Sequence, residues 1–295
     1  MKKLLPIFTL LLLQISLFAQ DKAFTVMALQ GKATANGKPV SIGQQLNADA
    51  SLVLNDAAYV GLLHKGGNSL EFKTKGTYPL KPFNEKLSSS SKGFQQKYMD
   101  YVVTGMTKKS GGSSYQKNMG ITGSVDRALA KNDIIVPLPS KVTLINSKMS
   151  VDWMDETQDG KYQVIVKNMK EEPIFQVGVA SKSATLDLSS LNLEPEQYYL
   201  LTIYAADGDR KSNTVGFYVP TIEEKTALIT DFESVNSALD LETSIGLMAY
   251  AQFCEQKGLY LDAYQAYKKA RQLSPDVAYF DTVYKEFVDD VVAKM

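Results

Sequence analysis

The chain has little of what reaction centres are built from. One histidine, His64, occurs in 295 residues, which excludes metal motifs that need two, HExxH zinc sites included. It falls at a strand end beside a glycine turn, with no serine or cysteine nucleophile at a recognised elbow, and reads as an ordinary strand residue. Cys254 is the single cysteine, so no internal disulfide can form. We expect it buried as a small apolar side chain. Net charge is absent as well: 32 basic residues balance 32 acidic ones. A chain so balanced has no electrostatic reason to seek nucleic acid or an anionic membrane surface. No cofactor-binding motif is found.

Long apolar runs are missing beyond the N-terminus. There, Met1-Lys2-Lys3 precedes an apolar stretch from Leu4 to Phe18, followed by Ala19-Gln20 and the polar Asp21-Lys22. Charged, apolar and small residues in that order make a secretory signal. The stretch is about 15 residues, short of the roughly 20 that span a bilayer. Residues 1–20 are therefore assigned as a signal peptide, cleaved after Ala19 or Gln20. No cysteine stands near the cut, so a lipid anchor is not expected. Without Lys2 and Lys3, 30 basic residues remain against 32 acidic ones, a balance of −2. The expectation is a periplasmic or secreted protein with no stable membrane span after signal cleavage.

What is present is mostly strand signal. In residues 21–83, short apolar runs alternate with turn residues: Val26 to Leu29, then Gly31; Asn36-Gly37; Leu52 to Leu54, then Asn55-Asp56; Tyr59 to Leu63, then Lys65 to Asn68. Asn-Gly and Gly-Gly between apolar runs mark hairpins, because these residues accept positive φ cheaply. Regular spacing of such strands favours a small sandwich or barrel. The Gly31-Lys32-Ala33, Asn36 to Val40 and Gly43 hairpin, the Leu46 to Ala50 step, and the Val60 to Phe72 hairpin about a glycine turn carry a resemblance. Together they resemble the periplasmic FecR-type domain. That resemblance implies envelope signalling, in which a cytoplasmic segment regulates a sigma factor and the periplasmic part listens to an outer-membrane receptor. Only three residues precede the apolar run here, so the expectation keeps the envelope domain without the sigma-regulating segment.

Residues 84–133 break the pattern. A serine run, Ser88 to Ser91, is followed by Phe94, Tyr98, Val102 and Met106 at helical spacing. Lys108 to Gly123 is rich in Gly, Ser and Lys and reads as a flexible loop.

Strands return in residues 134–221. Seven candidates, Val142–Ile145, Ser150–Met154, Tyr162–Val166, Ile174–Val179, Ala184–Leu188, Tyr199–Ala205 and Val215–Val219, suit an immunoglobulin-like sandwich. The stretch Leu193-Glu194-Pro195 to Ala205 resembles the fibronectin type III pattern, in which leucine and proline precede a tyrosine and alternate apolar residues follow. The resemblance implies that Tyr199, Leu201, Ile203 and Ala205 face inward, with Tyr199 as a corner tyrosine bonding back to the backbone. It also implies a buried Trp153.

Residues 222–295 turn helical. Leu247, Tyr250, Ala251 and Cys254 share one helix face, Gly258 caps it, and Ala263, Tyr267 and Ala270 line a second helix that stops at Pro275. Small residues at the crossing, Gly258-Leu259-Tyr260 at the turn and the closing proline resemble a single tetratricopeptide repeat. A capping helix carries Val277, Phe280, Tyr284, Phe287 and Val291. Repeats of this kind need about three units to fold alone. The hairpin must therefore bury its surface on the Ile222–Leu241 segment, on the sandwich, or on a second copy as a homo-oligomer through these helices. The fold class is thus multi-domain and mainly β with α, with three separate hydrophobic cores.

Residues that mimic reaction centres fail on context. Ser89 to Lys92, Lys109-Ser110-Gly111 and Ser190-Leu191-Asn192 imitate the motifs of penicillin-interacting enzymes, in the wrong order and largely in low-complexity sequence. Asp152, Asp155, Glu156 and Asp159 could attract calcium, but their spacing matches no known loop; a solvated hairpin is the expectation. Asp207-Gly208-Asp209 reads as a turn. Tyr260 and Tyr264 are the candidate partner-binding residues on the helical surface. The expectation is a non-catalytic envelope protein, not an enzyme, that contacts an envelope protein or polymer. The alternatives are an accessory of envelope signalling and a carbohydrate-binding or carbohydrate-active protein.

Overall fold

Eight short strands build the first unit in the computed structural model, which describes residues 22–89, 134–156, 160–206 and 208–292. The signal peptide, the Phe94–Met106 pattern and the Gly/Ser/Lys-rich stretch lie outside those residues. The strands are β1 (Lys22–Gln30), β2 (Ala33–Ala35), β3 (Lys38–Pro39), β4 (Gln45–Asn47), β5 (Ser51–Leu54), β6 (Tyr59–His64), β7 (Ser69–Phe72) and β8 (Gly76–Pro79). They form two four-stranded sheets, ordered β4-β1-β6-β7 and β3-β2-β5-β8. At the β2–β3 turn Asn36 and Gly37 both have positive φ, 50° and 77°, as a type I′ hairpin requires. Between the sheets lies a core of Phe24, Val26, Leu52, Leu62, Phe72 and Leu80. Helix α1 (Lys81–Ser89) crosses the boundary expected after residue 83, and its Phe83 and Leu87 pack on this core.

The second unit is a β-sandwich. All seven expected strands form: β9 (Lys141–Thr143), β10 (Lys148–Asp152), β11 (Tyr162–Lys167), β12 (Pro173–Val179), β13 (Ser183–Asp187), β14 (Gln197–Ala205) and β15 (Val215–Val219). One sheet is ordered β12-β11-β14-β15-β9; the other is the pair β10-β13. All neighbours are antiparallel except β9, which runs parallel to β15. Tyr199, Leu201, Ile203 and Ala205 point into the core. The amide of Glu194 donates to the Tyr199 hydroxyl at 2.9 Å, tying the corner as expected. Trp153 is buried and meets Tyr162 edge-on at 5.1 Å.

Four helices follow: α2 (Ile222–Ala238), α3 (Ser244–Gln256), α4 (Tyr260–Leu273) and α5 (Ala278–Val292). Helix α2 starts at a capping box in which Thr221 and Glu224 satisfy each other's amides. Helix α3 ends before Gly258, whose φ of 74° suits the left-handed turn at a helix C-terminus. The inner faces match the sequence periodicity: Leu247, Ala251, Cys254, Ala263, Tyr267 and Ala270 are all buried.

The cores are not three. One continuous apolar cluster joins the second sandwich to the helices and then to Met27, Ala28, Tyr59 and Leu63 on the outer face of the first unit. The expectation of separate cores is therefore corrected, because β1 and β6 are covered on both sides. Every residue of β6 is buried, with the first core beneath it and α3 above. Contact is close at Gly61, where a Cβ would collide with the Ile245 side chain. Gly246 is equally constrained, since a Cβ there would strike the Asp240 carbonyl. Gly246→Ala must displace backbone, so we expect a loss of about 2 kcal/mol or more. Calorimetry checks this as a lowered Tm, and an unchanged Tm would show that the 240–246 turn yields freely.

Candidate functional site

Polar side chains collect along the two seams where the helices meet the β-units. On the first seam, the Ser244 hydroxyl donates to Ser274 at 2.8 Å, and the Lys73 ammonium donates to Ser274 at 3.1 Å. A Ser–Ser–Lys constellation suggests nucleophilic chemistry, but both serines are buried, with Lys73 exposed beside them. Lys73 also sits over the Tyr59 ring at 5.7 Å. Thr243 and Ser69 pair through their hydroxyls at 2.6 Å, the Ile245 amide donates to Glu71 at 3.3 Å, and the Ala278 amide donates to Gln30 at 2.8 Å. The last two bonds satisfy helix-terminal amides that have no partner within their own helix. The seam is a latch.

The second seam joins α4 to β10. Lys268 pairs with Asp152 at 2.7 Å, and the Gln265 amide donates to the Ser150 carbonyl at 3.0 Å. Ser183 and Thr185 of β13 complete a polar cleft of about 270 Å³. Its one carboxylate, Asp152, is occupied by Lys268. A paired-carboxylate cleft, the geometry that glycoside hydrolysis uses, is not formed there. A second cavity, about 310 Å³ and mostly apolar, opens at the end of the sandwich between Leu144, Leu188, Leu193, Pro195, Val219 and Ile222.

The individually expected residues fall in several places. His64 is buried; its Nε2 is 3.1 Å from Asn84 Oδ1 and its Nδ1 accepts from the Gly66 amide at 3.0 Å. It ties α1 to the β6–β7 turn. The acidic patch divides. Asp155 is buried beside Arg210 at 2.9 Å and accepts the Tyr162 hydroxyl at 3.0 Å, which corrects the solvated hairpin expected there. Asp152 belongs to the α4 seam, Asp159 and Asp207 lie outside the described residues, and no cluster of three metal-ligating groups occurs among the described residues. Tyr264 is corrected too: it is 4 % exposed, its hydroxyl 3.2 Å from that of Tyr284, because that side of α4 faces the sandwich. Tyr260 is partly buried against the same core. Cys254 is fully buried, and burial pushes its thiol pKa up, so it offers no reactive thiolate. Gln265, Lys268, Ser150 and Thr185 escaped notice in the sequence, since three distant segments supply them and no local motif links them.

Comparison with known proteins gives no family. No protein-family model and no curated protein matches the chain. Among solved structures, the adhesin domain of Epf from Streptococcus pyogenes aligns at 13 % identity and TM-score 0.24, over 30 % of this chain and 32 % of that one. The pectate lyase Pel3 from Pectobacterium carotovorum aligns at 15 % identity and TM-score 0.21, over 28 % and 26 %. The FN1–FN3 domains of chicken CNTN1 align at 9 % identity and TM-score 0.23, over 70 % and 58 %. In each case this chain spans less than two thirds of the other, and TM-scores of this size bear on neither activity nor partner.

One titrating group stands out in the helical unit. Burial raises the Asp262 carboxyl from its ordinary 3.8 to about 6, beside Cys254 and Tyr250. The folded state then holds this proton more tightly than the unfolded chain does. Its contribution favours folding below pH 4 and is lost as pH rises through 6. Asp262→Asn is expected to raise Tm at pH 7.5, with the gain shrinking to nothing by pH 4. A pH-independent difference in thermal melts would contradict this.

Proposed function

We propose that this is an exported, non-catalytic envelope protein that holds two β-units in a set relation and presents their free surfaces to an envelope protein or polymer. The observation that carries the reading is the use of the helices. A tetratricopeptide-like hairpin ordinarily offers a groove to a peptide; here α3 sits on the first unit at Gly61 and α4 on the sandwich at Asp152. The hairpin works as an internal clamp, so the reading needs no second copy of the chain to cover it. Tyr199 and Trp153 support a fibronectin type III-like second unit, and the hairpin at Asn36-Gly37 supports a FecR-like first unit. Units of these types present surfaces. The N-terminal charge and apolar pattern supports export. A sensing accessory of envelope signalling is the second reading, favoured by the first unit alone.

Photo-crosslinkers placed on the exposed faces of the two β-units, in intact cells, test the reading. We expect adducts with envelope proteins or polymer, in a fraction from which residues 1–20 have been removed. Adducts with cytoplasmic proteins only, or retention of residues 1–20, would sink it. An inner-membrane regulator or outer-membrane receptor among the adducts would favour the sensing reading.

A further inference from the structure

The outer face of the five-stranded sheet carries more than a solvated sheet requires. Strand alternation sends Tyr198, Leu200 and Tyr204 of β14 to the face opposite the buried Tyr199, Leu201 and Ile203, with Thr202 on the same face but itself buried. The register aligns them in transverse rows. Tyr198 stands opposite Tyr218, with Thr143 next to it, and the two rings lie 5.2 Å apart. The next row is Lys141, Gly216, Leu200 and Lys167. Beyond it come Thr202, Ile165 and Gln176, then Lys211, Tyr204 and Gln163. Tyr198, Leu200, Tyr204, Tyr218 and Ile165 are half-buried and lie outside both cores.

The charge on this face is one-sided. Its outward strand positions hold Lys141 and Lys167, Lys211 flanks them, and none of these positions is Asp or Glu. Lys141 lies 5.6 Å over the Tyr198 ring. Two carboxylates act at one corner: Glu224 accepts the Tyr218 hydroxyl at 3.0 Å and is held by its own helix cap, and Glu196 lies near Tyr218. Lys141 and Lys167 end the same row across four strands. At roughly 4.8 Å per strand their backbones stand about 14 Å apart, too far for one small anion to serve both.

We propose that this face binds an extended acidic polysaccharide, a polyuronate. The flat tyrosine rings offer apolar surfaces to the C–H faces of pyranose rings. The exposed Thr214 hydroxyl, paired with the buried Thr202 at 3.0 Å, and the Gln163–Gln176 amide pair at 3.0 Å offer donors and acceptors to sugar hydroxyls, and the lysines meet successive carboxylates. A peptide would want an open strand edge or side-chain pockets; the middle of a sheet offers neither. The inference deepens the polymer branch of the proposed function and rests on that reading.

Calorimetric titration of the exported chain with alginate oligosaccharides tests it, with dextran, poly-glutamate and oligo-dT as comparison probes. We expect alginate to bind, dextran not to bind, and affinity to fall with added salt. Lys141→Gln with Lys167→Gln should weaken binding at least tenfold, as should Tyr198→Ala with Tyr218→Ala. Lys141 is exposed and Lys167 half-buried, outside both cores, so an unchanged Tm is expected for the lysine pair and keeps the test meaningful if the tyrosine pair misfolds. No alginate binding, binding unaffected by the lysine pair, or equal affinity for poly-glutamate or oligo-dT would overturn the inference. Absent alginate binding alongside envelope adducts elsewhere on the β-units would overturn this inference alone; absent envelope adducts would remove the reading beneath it.

Discussion

The structure depends on Ile245 of α3 seated above Gly61 of β6. A strand covered on one side by its partner sheet still exposes an apolar second face, and β6 carries Tyr59 and Leu63 on it. A helical hairpin also has an apolar side that too few repeats leave open. Each surface is costly in water, and each is the other's cover. The absent side chain at Gly61 lets them meet closely enough for dispersion contacts to form. The rest of the assembly follows from that contact: α4 is brought to β10, α5 to β1, and the sandwich is held to the first unit through helices.

Polar bonds set the register of this packing more than they drive it. The first seam satisfies amides at the starts of α3 and α5 with Glu71 and Gln30, groups that have no partner within their own helix. The second seam sets α4 along β10 through Lys268 and Gln265. Partly exposed ion pairs such as Lys268–Asp152 contribute little net energy; their value here is directional. The helices thus spend their apolar faces on the two β-units, while the outer face of the five-stranded sheet carries tyrosines and lysines outside both cores.

Much of this was legible in the sequence where a residue's environment is set by near neighbours. Tyr199, Leu201, Ile203 and Ala205 alternate, and an alternating strand has one buried face. Leu247, Ala251 and Cys254 recur at helical spacing, and such a helix has one buried stripe. The Asn36-Gly37 turn follows from the φ those residues tolerate. The run Tyr59 to Leu63 held a further signal: it does not alternate, and an unbroken apolar strand is buried on both faces. Tyr264 was misplaced because helical spacing identifies a buried stripe without saying which other sides a neighbouring domain will cover. Asp155 was misplaced because its partner Arg210 lies 55 residues away, beyond the reach of any local pattern.

By itself, then, the sequence determined the elements: which segments alternate, which are helical, where glycine and proline end them, and that a single cysteine can form no internal disulfide. These are properties of short windows, governed by backbone sterics and the side-chain period. Only the tertiary structure decided that helices and sandwich share one core with the outer face of the first unit, that Ser244 and Ser274 are buried together, and that lysines and tyrosines from four strands lie on one face. Such outcomes depend on which surfaces meet in space, and chain-distant surfaces find each other through complementary shape and burial that no short stretch encodes.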